Sequence, residues 1–544
     1  MRILKLTVVG TLASLSFSVF ATGIAIQSAT QSINMGMGTH TQAVFVITNN
    51  TGENLTGLDY TMSSSSFANM TPDTGCSSLN AGASCFFTEG MATGTTGSAM
   101  MGAPKVCIDG AACWQPTSHM LMTVTPTNSL VCWGYNTNGQ IGNGSITQPN
   151  RCNNGGSCAN TAYYALTNGS TGGSTQLHGI QQVTTGAGFS CALMTNGTEE
   201  CWGDNNNGEL GNNCSEAGCN AGVNQLDPKP VCAAGTTATS PTCTPLTGIQ
   251  FISSGTYGNF AVLTNGNLYG WGNDAENELS ISGNTGNPNP TPVQISNISN
   301  VSKVSAGYRY VCALKTDGTV WCWGENNARQ ANPASATNPI TTPTQITGGG
   351  FPAIQFVNSG SEVACALSTD DHVWCWGDNT YGELGQGDTS TYSIPVEVKG
   401  VNGSGFLSNI QSIMAGGSHQ VCAVATDGTA YCWGNGAYGE LGNGSTASSL
   451  LPTQVLASAG VPLTGVQAVS LGNYWSCALM INGGEKCFGA NGYGQMGNGS
   501  ATLSFVYPVS VLGPNPSTTS PLTNLTGSSQ GEAYYHACAI ITNP

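Results

Sequence analysis

The chain has 544 residues, and only 7% of them are charged, against roughly a quarter in an ordinary soluble domain. Eleven basic residues face 27 acidic ones, a net charge of −16 with no Lys/Arg cluster, so the basic footprint needed to bind nucleic acid or an anionic membrane is missing. With 39% hydrophobic residues and 75 glycines, the composition suits many short strands and tight turns and does not suit a charge-driven disordered chain.

At the N-terminus, Met1-Arg2 and Lys5 precede an apolar stretch from Leu6 to Phe20, and Val19-Phe20-Ala21 has the small-residue spacing of a cleavage site. Residues 1–21 are expected to be a secretory leader cut after Ala21. The apolar stretch falls short of the ~20 residues of a spanning helix, so no membrane insertion is expected. The mature chain is expected to be exported (periplasmic, cell-surface or extracellular) and its cysteines to meet an oxidising compartment.

Residues 22–127 hold nine of the 14 methionines and lack the Trp-Gly pairs found later. Ala43-Val44-Phe45-Val46-Ile47-Thr48 predicts a buried strand, and Asn49-Asn50-Thr51-Gly52 its turn. The segment with Cys76, Leu79, Gly82 and Ser84-Cys85-Phe86 resembles the paired-cysteine segment of bacterial immunoglobulin-like domains of the Hydin-related type. That resemblance implies a β-sandwich, joined to the remainder of the chain near Thr125-Pro126-Thr127.

From residue 128 onward the chain repeats. Trp133-Gly134, Trp202-Gly203, Trp271-Gly272, Trp323-Gly324, Trp376-Gly377, Trp433-Gly434 and Phe488-Gly489 recur at intervals of 69, 69, 52, 53, 57 and 55 residues. An apolar opener such as Cys312-Ala313-Leu314 stands about ten residues before most of them, and a turn such as Tyr381-Gly382-Glu383-Leu384-Gly385 comes after. A proline-led strand such as Pro395-Val396-Glu397-Val398 comes next, then a fourth strand such as Ile410–Ala415. Four short strands per period above fifty residues predict propeller blades.

The order Cys-Ala-Leu, Asp-Gly-Thr, Trp-Gly, Tyr-Gly-Glu-Leu-Gly and Pro-x-x-Val resembles repeats of the regulator of chromosome condensation family. The resemblance covers residues 128–544 and implies an all-β fold, a seven-bladed β-propeller here preceded by the sandwich domain. The family's nuclear founder acts on a small GTPase and on chromatin. Two residues before the strand opener the family commonly places histidine, which only His536 retains; Phe189, Tyr310 and Trp475 hold the same register. Family knowledge places this turn on one face of the ring, so Phe189, Tyr310, Trp475 and His536 are candidate ligand contacts.

Cysteine spacing carries its own chemistry. Five pairs lie ten residues apart: Cys191/Cys201, Cys312/Cys322, Cys365/Cys375, Cys422/Cys432 and Cys477/Cys487. A three-residue hairpin loop centred on Asp317, with Gly318 in the left-handed region, sets Leu314 opposite Val320 and Cys312 opposite Cys322, within disulfide range. In the remaining copy both positions have changed together, to Phe260 and Gly270, as a bonded pair would. Local pairs are expected at Cys76/Cys85, Cys107/Cys113, Cys152/Cys158, Cys214/Cys219 and Cys232/Cys243. The first Trp-Gly copy has no opener upstream and the last opener, at Cys538, has no Trp-Gly downstream. Pairing these half-hairpins closes the ring and adds Cys132/Cys538, using all 22 cysteines.

No G-x-S-x-G elbow, Gly-Lys-Ser/Thr loop, C-x-x-C pair or histidine placed beside a nucleophile occurs, so no catalytic residue, metal ligand or cofactor is expected. Glu209, Glu383 and Glu440 recur at a position that also holds Gln140 and Gln495, which favours a turn-stabilising role. The expected function is a non-catalytic exported scaffold that holds a protein or glycan. Its binding elements would be one face and the inserts Arg151–Gly179 and Cys214–Leu246. A structural component of a surface or secretion assembly is the alternative, and a carbohydrate-active enzyme the third.

Overall fold

The structure, a computed structural model, describes residues 128–542 apart from 147–149, 152–155, 168–174, 213–222, 234–242, 281–288, 501, 515–519, 530 and 532–533. Of residues 1–127 it describes only the backbone of strand segments. The chain divides into a unit of Met1–Thr127 with Asn543–Pro544 and a unit of Asn128–Thr542. In the first, Gln42–Asn50 pairs with Ser84–Gly90, and Arg2–Gly10 pairs with Ala13–Ala21. The backbones of Cys107 and Cys113 stand opposite each other. Cys76, Cys152, Cys214 and Cys219 lie outside the described residues, as do residues 152–155 and 168–174 of the first insert and 214–222 and 234–242 of the second.

The second unit is an all-β propeller of seven sheets. Blade 4 shows the plan: Val301–Ala306, Tyr310–Lys315, Val320–Gly324 and Ile340–Gln345 run antiparallel in chain order. Its middle hairpin pairs Leu314 with Val320, Ala313 with Trp321 and Cys312 with Cys322. Blades 2, 3, 5, 6 and 7 repeat this order of four strands. Blade 1 is built from both ends of the unit: Asn128–Tyr135 lies between Ser157–Tyr164 and His536–Thr542. The strands at its two edges are Asn150–Arg151 and Leu525–Ser528. The last strand completes the first blade and so closes the ring, which leaves only short blade edges.

Seven disulfides have both cysteines among the described residues: Cys132–Cys538, Cys191–Cys201, Cys232–Cys243, Cys312–Cys322, Cys365–Cys375, Cys422–Cys432 and Cys477–Cys487. Cys158 is also bonded, to a partner outside those residues. Such a density of disulfides belongs to a chain that folds in an oxidising compartment. In blade 3 the Phe260 ring takes the place of the bond: a Cβ on Gly270, directly opposite, would sit 2.7 Å from it. No helix among the described residues is long and apolar enough to cross a membrane.

The glycine of each Trp-Gly has a backbone reason. All seven have φ between 93° and 108°, and in six blades the pairing with the outer strand shifts register there. A left-handed residue at a bulge bends the strand into the next turn, and only glycine takes this conformation without strain.

Candidate functional site

That turn builds one rim of the ring. Two residues past the glycine, Asn136, Asn205, Asp274, Asn326, Asn379 and Asn491 each accept, through Oδ1, the N–H five residues on. Four residues further along come Gln140, Glu209, Glu278, Gln330, Glu383, Glu440 and Gln495, one in each blade. Each side-chain oxygen accepts the backbone N–H two residues earlier, at 2.7–3.0 Å. The carbonyls of these residues also join the blades. The indoles of Trp202, Trp271, Trp323, Trp376, Trp433 and Trp133 donate to Gln140, Glu209, Glu278, Gln330, Glu383 and Gln495 of the preceding blade. Phe488 has no N–H to offer, and Ser476 Oγ donates to Glu440 instead. The repeated carboxylates therefore hold a turn, and burial pushes Glu209 and Glu440 up to about 7 and Glu278 up to about 8.

The exposed surface of this rim comes from two other repeat positions. The residue three before each opener cysteine offers its carbonyl to the residue just after Trp-Gly: Tyr535 to Tyr135, Gly188 to Asp204, Tyr257 to Asn273, Arg309 to Glu325, Glu362 to Asp378, His419 to Asn435 and Tyr474 to Ala490. Against it stands the turn residue of the preceding blade: Tyr381 against His419 with ring centroids 5.5 Å apart, Tyr438 against Tyr474 at 4.8 Å, and Tyr493 against Tyr535 at 4.1 Å. Tyr135 packs edge-on to both Tyr493 and Tyr535, and Tyr534 to Tyr535. One sector of the rim thus carries two tyrosine groups, Tyr438 with Tyr474 and Tyr135 with Tyr493, Tyr534 and Tyr535; Tyr381 and Tyr438 are 40% and 47% exposed and the others are half-buried.

The neighbouring sector is charged. Arg309 lies over Tyr257 and Tyr308 and 3.9 Å from Glu276. In blades 5 and 6, Glu362, Asp378 and His419 bring one ligand-type atom each within 4.8 Å of the others. His419 Nδ1 stands 3.1 Å from Asp378 Oδ2 and 3.0 Å from Glu383 Oε1. Burial works against a charged imidazole there, but these two carboxylates prevail and push His419 up to about 10. Burial raises Glu362, while for Asp378 the adjacent His419 imidazole and the bond from Thr380 outweigh burial and lower it. Cys191, Glu199 and Cys201 also converge, as do Cys477, Glu485 and Cys487, but their sulfurs are tied in disulfides and cannot ligate.

The model of the RCC1-like domain matches residues 168–534, two thirds of the chain. The chain belongs to the RCC1-like family. Mouse E3 ubiquitin-protein ligase HERC2 is 30% identical over 265 residues, 48% of this chain but 5% of that protein. Arabidopsis thaliana ultraviolet-B receptor UVR8 is 25% identical over 334 residues, 60% of this chain and 66% of that one. Among solved structures, yeast Prp20p aligns with a TM-score of 0.60 at 18% identity, covering 77% of this chain and 93% of that one. Human WBSCR16 aligns at 0.59 and 17% identity, covering 76% and 99%. These two share the fold. RCC1-like propellers are binding or exchange-factor domains, and the match to HERC2 leaves 95% of that ligase uncovered.

The candidate contacts Phe189, Tyr310, Trp475 and His536 need correcting. In this RCC1-like propeller all four are at most 1% exposed and form no common surface. Each packs toward the next blade: Tyr310 Oη donates to the Val363 carbonyl at 2.7 Å, and Trp475 Nε1 to the Tyr534 carbonyl at 3.0 Å. His536 Nε2 lies 2.9 Å from Ser190 Oγ, and Phe189 shares a core cluster with Ile252 and Trp271 while its ring covers Gly186 of its own blade. The reason is strand alternation: two residues before the cysteine is the cysteine's own face, which packs inward. The rim residue is one position earlier, and Tyr257, Tyr474 and Tyr535 in that register were the missed signal.

Proposed function

We propose that the protein is an exported, non-catalytic propeller scaffold that recognises a protein through this rim. The observation that carries the reading is the pair of rim tyrosine groups, Tyr438–Tyr474 and Tyr135–Tyr493–Tyr535, beside the charged sector of Arg309, Glu362 and Asp378. Tyrosines give rigid contact area at little entropy cost and are enriched at binding hot spots, while flanking charges fix register. A chain of −16 net charge favours a basic or neutral partner over nucleic acid. Yeast Prp20p was studied for its binding to Gsp1p and histones, which supports protein recognition by this fold. The export leader and the immunoglobulin-like domain of residues 22–127 belong to the same proposal.

The test immobilises the mature chain and a Tyr438→Ser/Tyr474→Ser/Tyr493→Ser variant and captures proteins from the cell envelope and medium of the native host. A specific protein held by the first and lost by the second, at equal melting temperature, supports the rim. Equal capture by both removes it, and recovery of a set of envelope-assembly proteins by both favours the structural-component reading.

A further inference from the structure

We propose that Glu362, Asp378 and His419 form a binding site for a divalent cation of the zinc class on the charged sector of the rim, with the buried Glu383 carboxylate behind it. His419 Nδ1 and Glu383 Oε1 are both buried and 3.0 Å apart, yet neither has a hydrogen-bond partner in correct geometry. Glu383 itself is fully buried. A single N–H satisfies one acceptor along its own axis. Here one imidazole nitrogen faces oxygens of two carboxylates at almost equal distance. Donors held 2.0–2.2 Å from a tetrahedral ion stand about 3.3–3.6 Å from one another, so the 3.0 and 3.1 Å pairs need to open by only a few tenths of an ångström, with Glu362 inside 4.8 Å.

Orientation supports the same reading. Asp378 and Glu383 each have one oxygen tied away from His419: Thr380 Oγ1 donates to Asp378 Oδ1 at 2.7 Å, and the Tyr381 N–H donates to Glu383 Oε2 at 2.8 Å. The remaining oxygens, Oδ2 and Oε1, are those turned to the imidazole. Metal-ligating carboxylates are commonly held in this way by donors on their second oxygen. Charge points to a cation as well. Three carboxylates surround one imidazole, and among the described residues no lysine or arginine makes an ion pair with any of them. One nitrogen with two or three carboxylate oxygens suits zinc or a neighbouring first-row ion, whereas calcium takes six to eight oxygens.

Sibling blades supply variants that keep the fold. Asn273 and Asn435 occupy the place of Asp378, and Gln330 and Gln495 that of Glu383, so Asp378→Asn and Glu383→Gln introduce residues the turn already accepts. The full mature chain, stripped with chelator, is titrated calorimetrically with Zn²⁺ while its melting temperature is followed. The expected result is one strong equivalent for the wild type, its loss in Asp378→Asn, and about a 10–100-fold weaker site in Glu383→Gln. Metal-free melting temperatures should differ little among the three. No strong equivalent in the wild type overturns the site and leaves His419 as an imidazolium between carboxylates. Equal binding by all three proteins also overturns it and moves the ion elsewhere, with the His372–Glu397 pair the next place to look.

Discussion

Cys132 and Cys538 stand directly opposite each other with Cα atoms 4.0 Å apart, although 406 residues separate them in the chain. Cys312 and Cys322 have the same relationship at 4.1 Å across ten residues. The local geometry is alike, so the two bonds differ chiefly in the loop they close.

In the chain-entropy account a 406-residue loop is worth about 6 kcal/mol and a ten-residue loop about 3. Cys132→Ala/Cys538→Ala should therefore lower unfolding free energy about twice as much as Cys312→Ala/Cys322→Ala. Denaturant titration of the two double variants checks this. Equal losses would mean that strand pairing alone closes the ring in the unfolded reference state as well.

A second expectation concerns the inner belt. Tyr310→Phe removes the 2.7 Å donor to the buried Val363 carbonyl, which keeps the Gly360 N–H at 2.8 Å. A loss of about 0.5–1.5 kcal/mol is expected, with no change in ligand capture. Tyr474→Ser on the rim should do the reverse, weakening capture at nearly constant stability. Parallel melting and binding measurements on both variants separate belt from rim.

These positions also show what the sequence could reveal. Blade plan and hairpin register were legible because Trp-Gly, the opener cysteines and the Gly turns recur at fixed offsets, and the period-2 strand converts offset into facing residues. The two half-hairpins at Leu130–Gly134 and His536–Thr542 are visible on the same grounds, and they lie paired in the structure. Which flank of the opener reaches the surface was signalled only by Tyr257, Tyr474 and Tyr535. A one-residue shift exchanges faces, and the left-handed backbone falls on three different residue types at Arg309, His419 and Tyr474. The Glu362–Asp378–His419 cluster was hidden for another reason: its members come from two blades, and sequence spacing does not show which neighbours share an edge.

In blade 3 the Phe260–Gly270 pair makes a prediction of its own. A Cβ on Gly270 would stand 2.7 Å from the Phe260 ring and 2.8 Å from Leu279. Gly270→Ala should cost about 1–3 kcal/mol by overpacking, and Phe260→Ala about 3–5 by opening a cavity. The double variant should lose less than the sum, because the added methyl enters the space the ring has left. A double-mutant cycle by denaturant unfolding measures that coupling.

The last expectation is a pH dependence with a worked sign. Burial pushes Glu209 and Glu440 up to about 7, and Glu278 and Glu485 up to about 8. In the unfolded chain these groups titrate near their ordinary value of about 4.3. Between those limits the folded protein holds protons that the unfolded chain has released, so stability falls as pH rises. The contribution is fully present below about pH 4 and lost by about pH 8. His536 opposes it: burial pulls it down to about 3, so its contribution is present above about 6.5 and is lost as pH falls. Four carboxylates against one histidine make the melting temperature higher at pH 6 than at pH 8.5. The control is Glu440→Gln, which places there the residue that holds the same turn as Gln140, Gln330 and Gln495. Its amide oxygen still accepts the Tyr438 N–H, but nothing is left to ionise. Glu440→Gln should therefore raise the melting temperature at pH 8.5, change it little at pH 5, and flatten the slope between them. A variant whose slope matches the wild type would show that Glu440 ionises in the folded protein no later than it does in the unfolded chain.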